Sequence, residues 1–129
     1  MNIMSQKFPV ALKITGLDRI AEGLAAAPHQ LRVVANRVVD EGVGIVEERA
    51  RELAPVRTGW LRSQVYKRKT GFLGWEVGDL ASYAGFQEFG TRYMRARPFL
   101  RPAVEEKMPL VREALKDALI EKIVEMFGS

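Results

Sequence analysis

Side chains that commonly carry catalysis are scarce in this sequence. His29 is its single histidine, and the absence of cysteine excludes a disulfide framework, a thiolate metal site and a cysteine nucleophile. There is no second histidine with which His29 could form a metal-binding pair. The four serines (Ser5, Ser63, Ser82, Ser129) lack the turn context of a hydrolase nucleophile. The residue types therefore predict neither an enzyme nor a cofactor or metal site.

Basic residues form the other group that could do chemistry, and they are concentrated in one segment. Residues 55–101 contain nine lysines and arginines against three acids, a balance of +6, whereas the whole chain carries +4. The nine are Arg57, Arg62, Lys67, Arg68, Lys69, Arg92, Arg95, Arg97 and Arg101. Such an excess indicates an anionic partner or an acidic neighbouring subunit, and a solvated surface of loops and strands explains it equally well.

Phosphate binding is one use that this basic segment allows. Arg95, Arg97 and Arg101, together with the basic run at residues 67–69, have aromatic residues close to them in the sequence. Arginine and lysine contact phosphates, and aromatic rings stack on bases. The spacing of a helix-turn-helix, a zinc finger or an RNA-binding aromatic strand is missing. The sequence therefore allows a non-specific nucleic-acid-binding protein and nothing more selective.

Length and composition indicate a single domain over residues 1–129. A chain of 129 residues has no room for two independent cores, and 47% hydrophobic residues separate it from disordered proteins. Within the domain we expect a loose N-terminus at residues 1–7 and a basic loop at residues 91–97. The pattern of a secretory signal is missing, and no apolar run approaches a membrane span. We therefore expect a protein that is kept in a cytoplasm or delivered by assembly.

The short elements that must position these residues follow from hydrophobic spacing. Alternation over residues 8–14 predicts a strand with one buried face. Apolar residues four positions apart predict a short helix at residues 19–26. Two further strands are predicted at residues 64–69 and 72–77, joined by a turn at residues 70–71, and the first of them should lie near a sheet edge.

A long amphipathic helix is the dominant prediction. Between residues 28 and 54 apolar residues recur every three or four positions, which indicates a helix of roughly 25 residues. Pro55 should end it, because the residue before a proline is pushed out of the helical region. Gly42 and Gly44 lie at its centre, so we expect either a bend or a close approach of another backbone there.

The C-terminal half of the sequence completes the fold prediction. Aromatic residues three positions apart between Ser82 and Gly90 indicate a short helix. A final helix should open at Pro102, and Pro109 should kink it or split it in two. The predicted fold class is α+β, with a small antiparallel sheet packed against a long central helix and a C-terminal helix.

Three runs of residues, taken together, carry a resemblance to a known family. The runs are APVRTGWLR at residues 54–62, YAGFQEFGT at residues 83–91 and ARPFLRPA at residues 96–103. In this order and spacing they closely resemble the motifs of the small head–tail joining or tail-completion proteins of lambdoid-type tailed phages and related prophages, which are neck or minor tail components. The resemblance extends over roughly residues 14–123.

The resemblance implies a structural role in virion assembly at the head–tail junction, without catalytic residues. It implies a subunit that oligomerises, as a ring, between the head connector and the tail tube. Its partners would be other copies of itself, the connector, and the tail-tube or terminator proteins. Genome DNA could pass through the lumen of such a ring without specific binding. The protein would be found in the virion, and in the host bacterial cytoplasm during assembly.

Individual residues in the three runs receive structural or interface roles on this interpretation. Trp60, Leu61, Phe89 and Phe99 are expected to anchor the core. Glu88 is expected to pair with Arg57 or Arg62, or to face a neighbouring subunit. The residues assigned to an interface, because a ring needs charge complementarity between neighbours, are Arg57, Arg62, Glu88, Arg92, Arg95, Arg97 and Arg101.

Overall fold

In the computed structural model, residues 8–56 and 59–128 are described. They form a three-stranded antiparallel sheet and five helices, which confirms the predicted α+β class. The strands are β1 (Val10–Lys13), β2 (Val65–Gly71) and β3 (Gly74–Asp79), in the spatial order β1-β3-β2. The helices are α1 (Asp18–Ala25), α2 (His29–Leu53), α3 (Trp60–Ser63), α4 (Ala84–Phe89) and α5 (Leu100–Phe127). None of these helices is long and apolar enough to cross a membrane.

The two long helices, α2 and α5, form an antiparallel pair that supports the fold. Gly42 of α2 faces Val111 of α5, and Arg49 of α2 forms a 3.1 Å ion pair with Glu106 of α5. A Cβ atom at residue 42 would lie 2.5 Å from Cγ1 of Val111, a distance that real structures do not tolerate. The close approach expected at the centre of α2 is therefore present at Gly42, and a side chain of α5 rather than a backbone makes it.

The sheet packs against the helices through the apolar face of β3. Trp75 and Val77 of β3 and the preceding Leu73 are buried, and β3 is the central strand, so that β2 lies at an edge as expected. Lysines 67 and 69 of β2 lie over the Trp75 ring, with their Nζ atoms 5.4 and 5.7 Å from its centroid. An ammonium group this close to an aromatic ring is attracted by the negative face of the ring.

The turn between β2 and β3 differs from the prediction at residues 70–71. Gly71 pairs with Gly74, which leaves Phe72 and Leu73 as the two-residue turn. Leu73 has a φ of 56°, a left-handed conformation that is uncommon for a residue with a side chain. Its side chain is nevertheless buried, so core packing holds the residue in a conformation that a local turn preference would assign to glycine.

Pro55 ends helix α2 as predicted, whereas Pro109 does not divide helix α5. Helix α2 ends at Leu53, and Ala54 is extended with ψ 130°, as expected before Pro55. The C-terminal helix begins at Leu100 rather than at Pro102 and continues through Pro109 as one element of 28 residues. Of the two effects predicted for Pro109, a kink or a split, the split is therefore wrong. Pro109 leaves the carbonyl of residue 105 without its helical donor, but buried packing of Met108 and Val111 on either side holds the helix together.

Two of the four predicted core anchors are in the core. Leu61 and Phe99 are buried, whereas Trp60 and Phe89 are 54% and 47% exposed. Trp60 and Leu61 are consecutive residues of the short helix α3, which was not predicted, and consecutive helical side chains point in different directions. Because Leu61 points inward, Trp60 is left mostly outside the core.

Candidate functional site

Glu88 connects the end of α4 to the start of α5. Its side chain lies at the end of α4 and is fully buried. One carboxylate oxygen, Oε1, accepts hydrogen bonds from the backbone N–H groups of Phe99 at 3.0 Å and Leu100 at 2.8 Å. The other, Oε2, accepts one from the N–H of Arg101 at 3.1 Å. A carboxylate from another element therefore satisfies the unpaired amides at the start of α5 and complements the positive end of its dipole.

The guanidinium of Arg101 completes this arrangement. Its Nε donates to Oε2 of Glu88 at 3.3 Å, and its centre lies 5.3 Å from the Phe89 ring. About half of the Arg101 side chain remains exposed. The expected pairing of Glu88 with Arg62 is therefore wrong, because Arg101 and the α5 amides occupy the carboxylate. Arg57 lies outside the described residues.

The basic loop predicted at residues 91–97 is present between α4 and α5 and is fastened at its base. The N–H of Arg97 donates to the carbonyl of Gln87 at 2.7 Å, and the N–H of Thr91 donates to the carbonyl of Met94 at 2.8 Å. Gly90 has a φ of 76°, and a Cβ atom there would lie 2.7 Å from the amide nitrogen of Ala96. Together with the contacts of Glu88 to the start of α5, these hydrogen bonds give the loop a defined shape.

Exposed arginine and aromatic side chains project from this loop. Arg92, Tyr93, Arg95 and Arg97 are all exposed, and the Arg92 guanidinium lies 5.8 Å from the Tyr93 ring. Within the described part of the chain, the side chains of Arg92, Arg95 and Arg97 form no ion pair. Arginine and aromatic residues are the types enriched at the centres of protein–protein interfaces.

An aromatic cluster that the sequence did not predict lies beside the loop. Phe8 meets Phe86 edge to face at 5.3 Å and stacks on Phe89 at 6.3 Å. The Phe8 ring lies directly over Gly85, where a Cβ atom would be 2.5 Å from it. Phe8 and Phe89 both remain partly exposed. We call the exposed side chains of Phe8, Phe89, Arg101 and residues 92–97 the loop face.

The remaining basic residues of the segment are used within the subunit. Lys67 pairs with Asp40 at 3.4 Å, and Lys69 donates a hydrogen bond to Asn36. Arg68 forms a 2.7 Å ion pair with Glu76, and its hydrogen bond lowers the pKa of that carboxyl below the usual range. The basic run at residues 67–69 is therefore partnered inside the chain.

Arg62 has a separate role from the loop. Its Nε donates to the carbonyl of Arg51 at 3.0 Å, near the C-terminal end of α2. A cation at this end of a helix satisfies an unpaired carbonyl and complements the negative end of the dipole. Of the seven residues predicted for an interface, the structure places Arg92, Arg95, Arg97 and Arg101 on the loop face. It uses Glu88 and Arg62 to hold the fold.

A second buried carboxyl, that of Asp79, lies at the end of β3. Val10 and Val65 flank it on the two neighbouring strands. Its Oδ1 accepts a hydrogen bond from the N–H of Ala81 at 2.8 Å, and its Oδ2 has no hydrogen-bond partner among residues 8–56 and 59–128. Burial raises the pKa of Asp79 to about 6, against which the Ala81 hydrogen bond acts only partly. No sequence pattern distinguished this aspartate from a surface acid.

Metal chemistry finds no support in the part of the chain that the structure describes. Residues 8–56 and 59–128 contain no group of three histidine, cysteine, aspartate or glutamate side chains that could hold a metal ion. His29 is exposed at the start of α2, on the rim of an open cleft of about 400 Å³ shared with Phe72.

Sequence comparison identifies the family. The family model described as "Bacteriophage HK97-gp10, putative tail-component" matches residues 18–90, more than half of the chain. The chain belongs to this HK97-gp10-like family. The resemblance seen in the sequence motifs is thereby confirmed, and the family gives the protein a structural role in a phage tail or neck. The matched region ends at Gly90, so the loop and α5 lie beyond it. Neither a curated protein nor a solved structure matches the chain.

Proposed function

We propose that this tail component acts at the head–tail junction, in tail completion or head–tail joining, and that the loop face is its docking surface. The subunit would oligomerise, as a ring, and bind the connector and the tail-tube or terminator proteins. It would be part of the virion, assembled in the host bacterial cytoplasm. Genome DNA would pass through the ring without specific binding.

The observation that supports this proposal is the way Glu88 holds the loop. A fully buried carboxylate fixes the start of α5, and backbone hydrogen bonds fix the other end of the loop. A rigid support of this kind lowers the entropic cost of binding, because the loop side chains are already in place. Arg92, Arg95 and Arg97 have no acidic partner within the described residues, so an acidic surface of a neighbouring protein would complement them.

A charge reversal on the loop tests the docking role. The variant Arg92→Glu/Arg95→Glu is supplied to a phage genome in which the gene has been inactivated, and infectious particles are counted. We expect a reduction of at least tenfold relative to the unmodified protein, with unjoined heads and tails visible by electron microscopy. A matched reversal of two exposed basic residues away from the loop, Lys13→Glu/Arg19→Glu, should restore particles normally. Equal titres for the two variants would contradict the proposal, provided that both proteins unfold at the same urea concentration.

Non-specific nucleic-acid binding is the alternative that the loop arginines keep open. It is less favoured, because the matched family is described as a putative tail component. A nucleic-acid-binding protein would retard duplex DNA in a gel at low salt, with an affinity that falls steeply as salt is added. Absence of retardation at low salt would eliminate this alternative.

A further inference from the structure

The last turns of α5 have apolar residues on two faces. The inner face continues the packing against α2, with Leu119 and Met126 partly buried. The outer face carries Ile120, Ile123, Val124 and Phe127, which are between 42% and 74% exposed. At 100° per residue, positions separated by three, four and seven residues lie on one side of a helix. We call these four residues the outer stripe, since they form a continuous apolar strip facing solvent.

An apolar groove lies elsewhere on the same helix pair. It has a volume of about 430 Å³, and apolar side chains of α2 and α5 line it, including Val38, Ile45, Leu110 and Ala114. Ile45 and Leu110 are both more than half exposed. Gly42 contributes no side chain to the lining, and Val111 of α5 lies against it. We call it the α2–α5 groove.

We infer that the outer stripe of one copy of this chain docks in the α2–α5 groove of a second copy. An amphipathic helix that presents anchors at i, i+3, i+4 and i+7 is the form that binds in a hydrophobic groove. The stripe has this spacing and the groove is lined by apolar side chains. The inference rests on the proposed function in one respect: it identifies the surfaces through which a ring-forming tail component would contact its neighbours.

Charges around the two surfaces are complementary. Lys116 and Glu121 flank the stripe on α5, whereas Glu41 and Lys107 lie at the edge of the groove. In the proposed contact, Lys116 would lie against Glu41 and Glu121 against Lys107 of the neighbour. Among the described residues, Glu41 forms a 3.6 Å ion pair with Arg37, and Lys107 forms one of 3.6 Å with Glu106; exposed residues exchange such pairs at little cost.

The geometry makes the contact head to tail. Stripe and groove are different surfaces, so each copy can use both at once, and the contact repeats until a ring closes. Four side chains bury less than the roughly 1,200 Å² that a stable pair of proteins needs. We therefore expect two copies to associate weakly, and the ring to become stable only when it closes or when a partner organises it.

Cysteine cross-linking tests this contact directly, because the chain has no native cysteine. Val124→Cys places a thiol on the stripe, and Leu110→Cys places one at the groove. The purified single variants are treated separately and as an equimolar mixture, at high protein concentration, with a short bis-maleimide. We expect a cross-linked dimer in the mixture, at least fivefold more than in either variant alone. The control mixture combines Val124→Cys with Glu22→Cys, which lies on the exposed side of α1.

Each other outcome would overturn the inference. Efficient cross-linking of Val124→Cys alone would mean that two stripes pair symmetrically with each other. Equal yields with Leu110→Cys and Glu22→Cys, or no cross-link at all, would mean that the groove does not receive the stripe. The experiment uses purified protein and leaves the loop face unchanged, so its failure is distinguishable from a failure of the docking role tested in particles.

A substitution gives a second measurement. Ile120→Asp puts a charge at the first position of the stripe, which is exposed, so that folding should tolerate it. We expect it to weaken self-association at least tenfold by sedimentation equilibrium and to reduce the cross-link between Val124→Cys and Leu110→Cys to the control level. Unchanged association would contradict the inference.

Discussion

Glu88 and Leu100 lie twelve residues apart, yet the Glu88 carboxylate accepts a 2.8 Å hydrogen bond from the Leu100 amide. This bond and its neighbours connect the end of α4 to the start of α5 across the basic loop. The run that contains Glu88 and the run that contains Phe99 are therefore two halves of one structural unit. Their occurrence together in the sequence follows from this contact, whatever the loop binds.

Glu88→Ala should destabilise the protein strongly. It leaves buried amides of Phe99 and Leu100 without an acceptor, and each lost bond to a charged group is worth about 1.5–3 kcal/mol. We expect the free energy of unfolding to fall by about 3 kcal/mol in urea denaturation. Glu105→Ala, at an exposed position of α5, is the matched control and should change it by less than about 0.5 kcal/mol. A loss below about 1 kcal/mol for Glu88→Ala would contradict the capping role.

The sequence was sufficient to predict features that depend on local periodicity. The long helix α2, its end before Pro55 and the buried face of β3 each follow from the spacing of apolar residues or from proline chemistry. The fold class followed from their order. The basic loop at residues 91–97 was also predicted.

Features created by contacts between distant elements could not be predicted in this way. Glu88 resembles an ordinary helix-end acid until α5 is placed against it, and Phe8 resembles a strand residue until it covers Gly85. Leu73 takes a glycine-like conformation because the core needs its side chain. Each depends on tertiary packing that overrides a local preference, which a single sequence does not display.

Gly42→Ala should be destabilising despite the better helix propensity of alanine. Its Cβ would lie 2.5 Å from Val111 Cγ1, and overpacking of this kind costs about 1–3 kcal/mol. Gly44→Ala is the internal control, because its Cβ would meet only the flexible end of Lys67 at 3.4 Å. We expect Gly44→Ala to be neutral or stabilising by up to about 1 kcal/mol.

A double variant distinguishes crowding at Gly42 from a general loss of helix packing. Val111→Ala removes the methyl groups that residue 42 would meet, so Gly42→Ala should cost less in its presence than alone. Urea denaturation of the four proteins in this cycle gives the coupling between the two sites. Additive effects would show that the close approach of α2 and α5 at this point does not constrain residue 42.

Asp79 should make stability depend on pH. Its folded-state pKa of about 6 lies above the ordinary value of 3.8, so the folded protein binds more protons than the unfolded chain between these values. Stability should therefore fall as pH rises from about 4 through about 6. Asp79→Asn removes the charge and keeps an oxygen for the Ala81 amide, so it should be more stable than the unmodified protein at pH 8, by about 2 kcal/mol.

Glu76 should change the pH dependence of stability in the opposite direction. Its pKa is lowered, chiefly by the hydrogen bond from Arg68, so its contribution to stability is present at neutral pH and lost on acidification. Glu76→Gln should therefore lower stability at pH 8, and the difference should disappear at low pH. If Asp79→Asn did not raise the stability at pH 8, the buried charge at Asp79 would not be the cause of the pH dependence.

Gly90→Ala should show how much the conformation of the loop, apart from its charge, contributes to docking. Residue 90 has a φ of 76°, and a Cβ atom there would lie 2.7 Å from the Ala96 nitrogen and 2.9 Å from the Met94 carbonyl oxygen. Strain at such a position costs about 1–3 kcal/mol, and the loop can relieve it by moving away from α4. We expect a lower free energy of unfolding and, because every arginine is retained, a loss of particle formation that charge alone does not explain. Gly71→Ala, where a Cβ atom would meet nothing within 4 Å, is the control and should leave particle formation unchanged. Normal particle formation by Gly90→Ala would mean that docking needs the arginines but not the conformation in which Glu88 and Gly90 hold them.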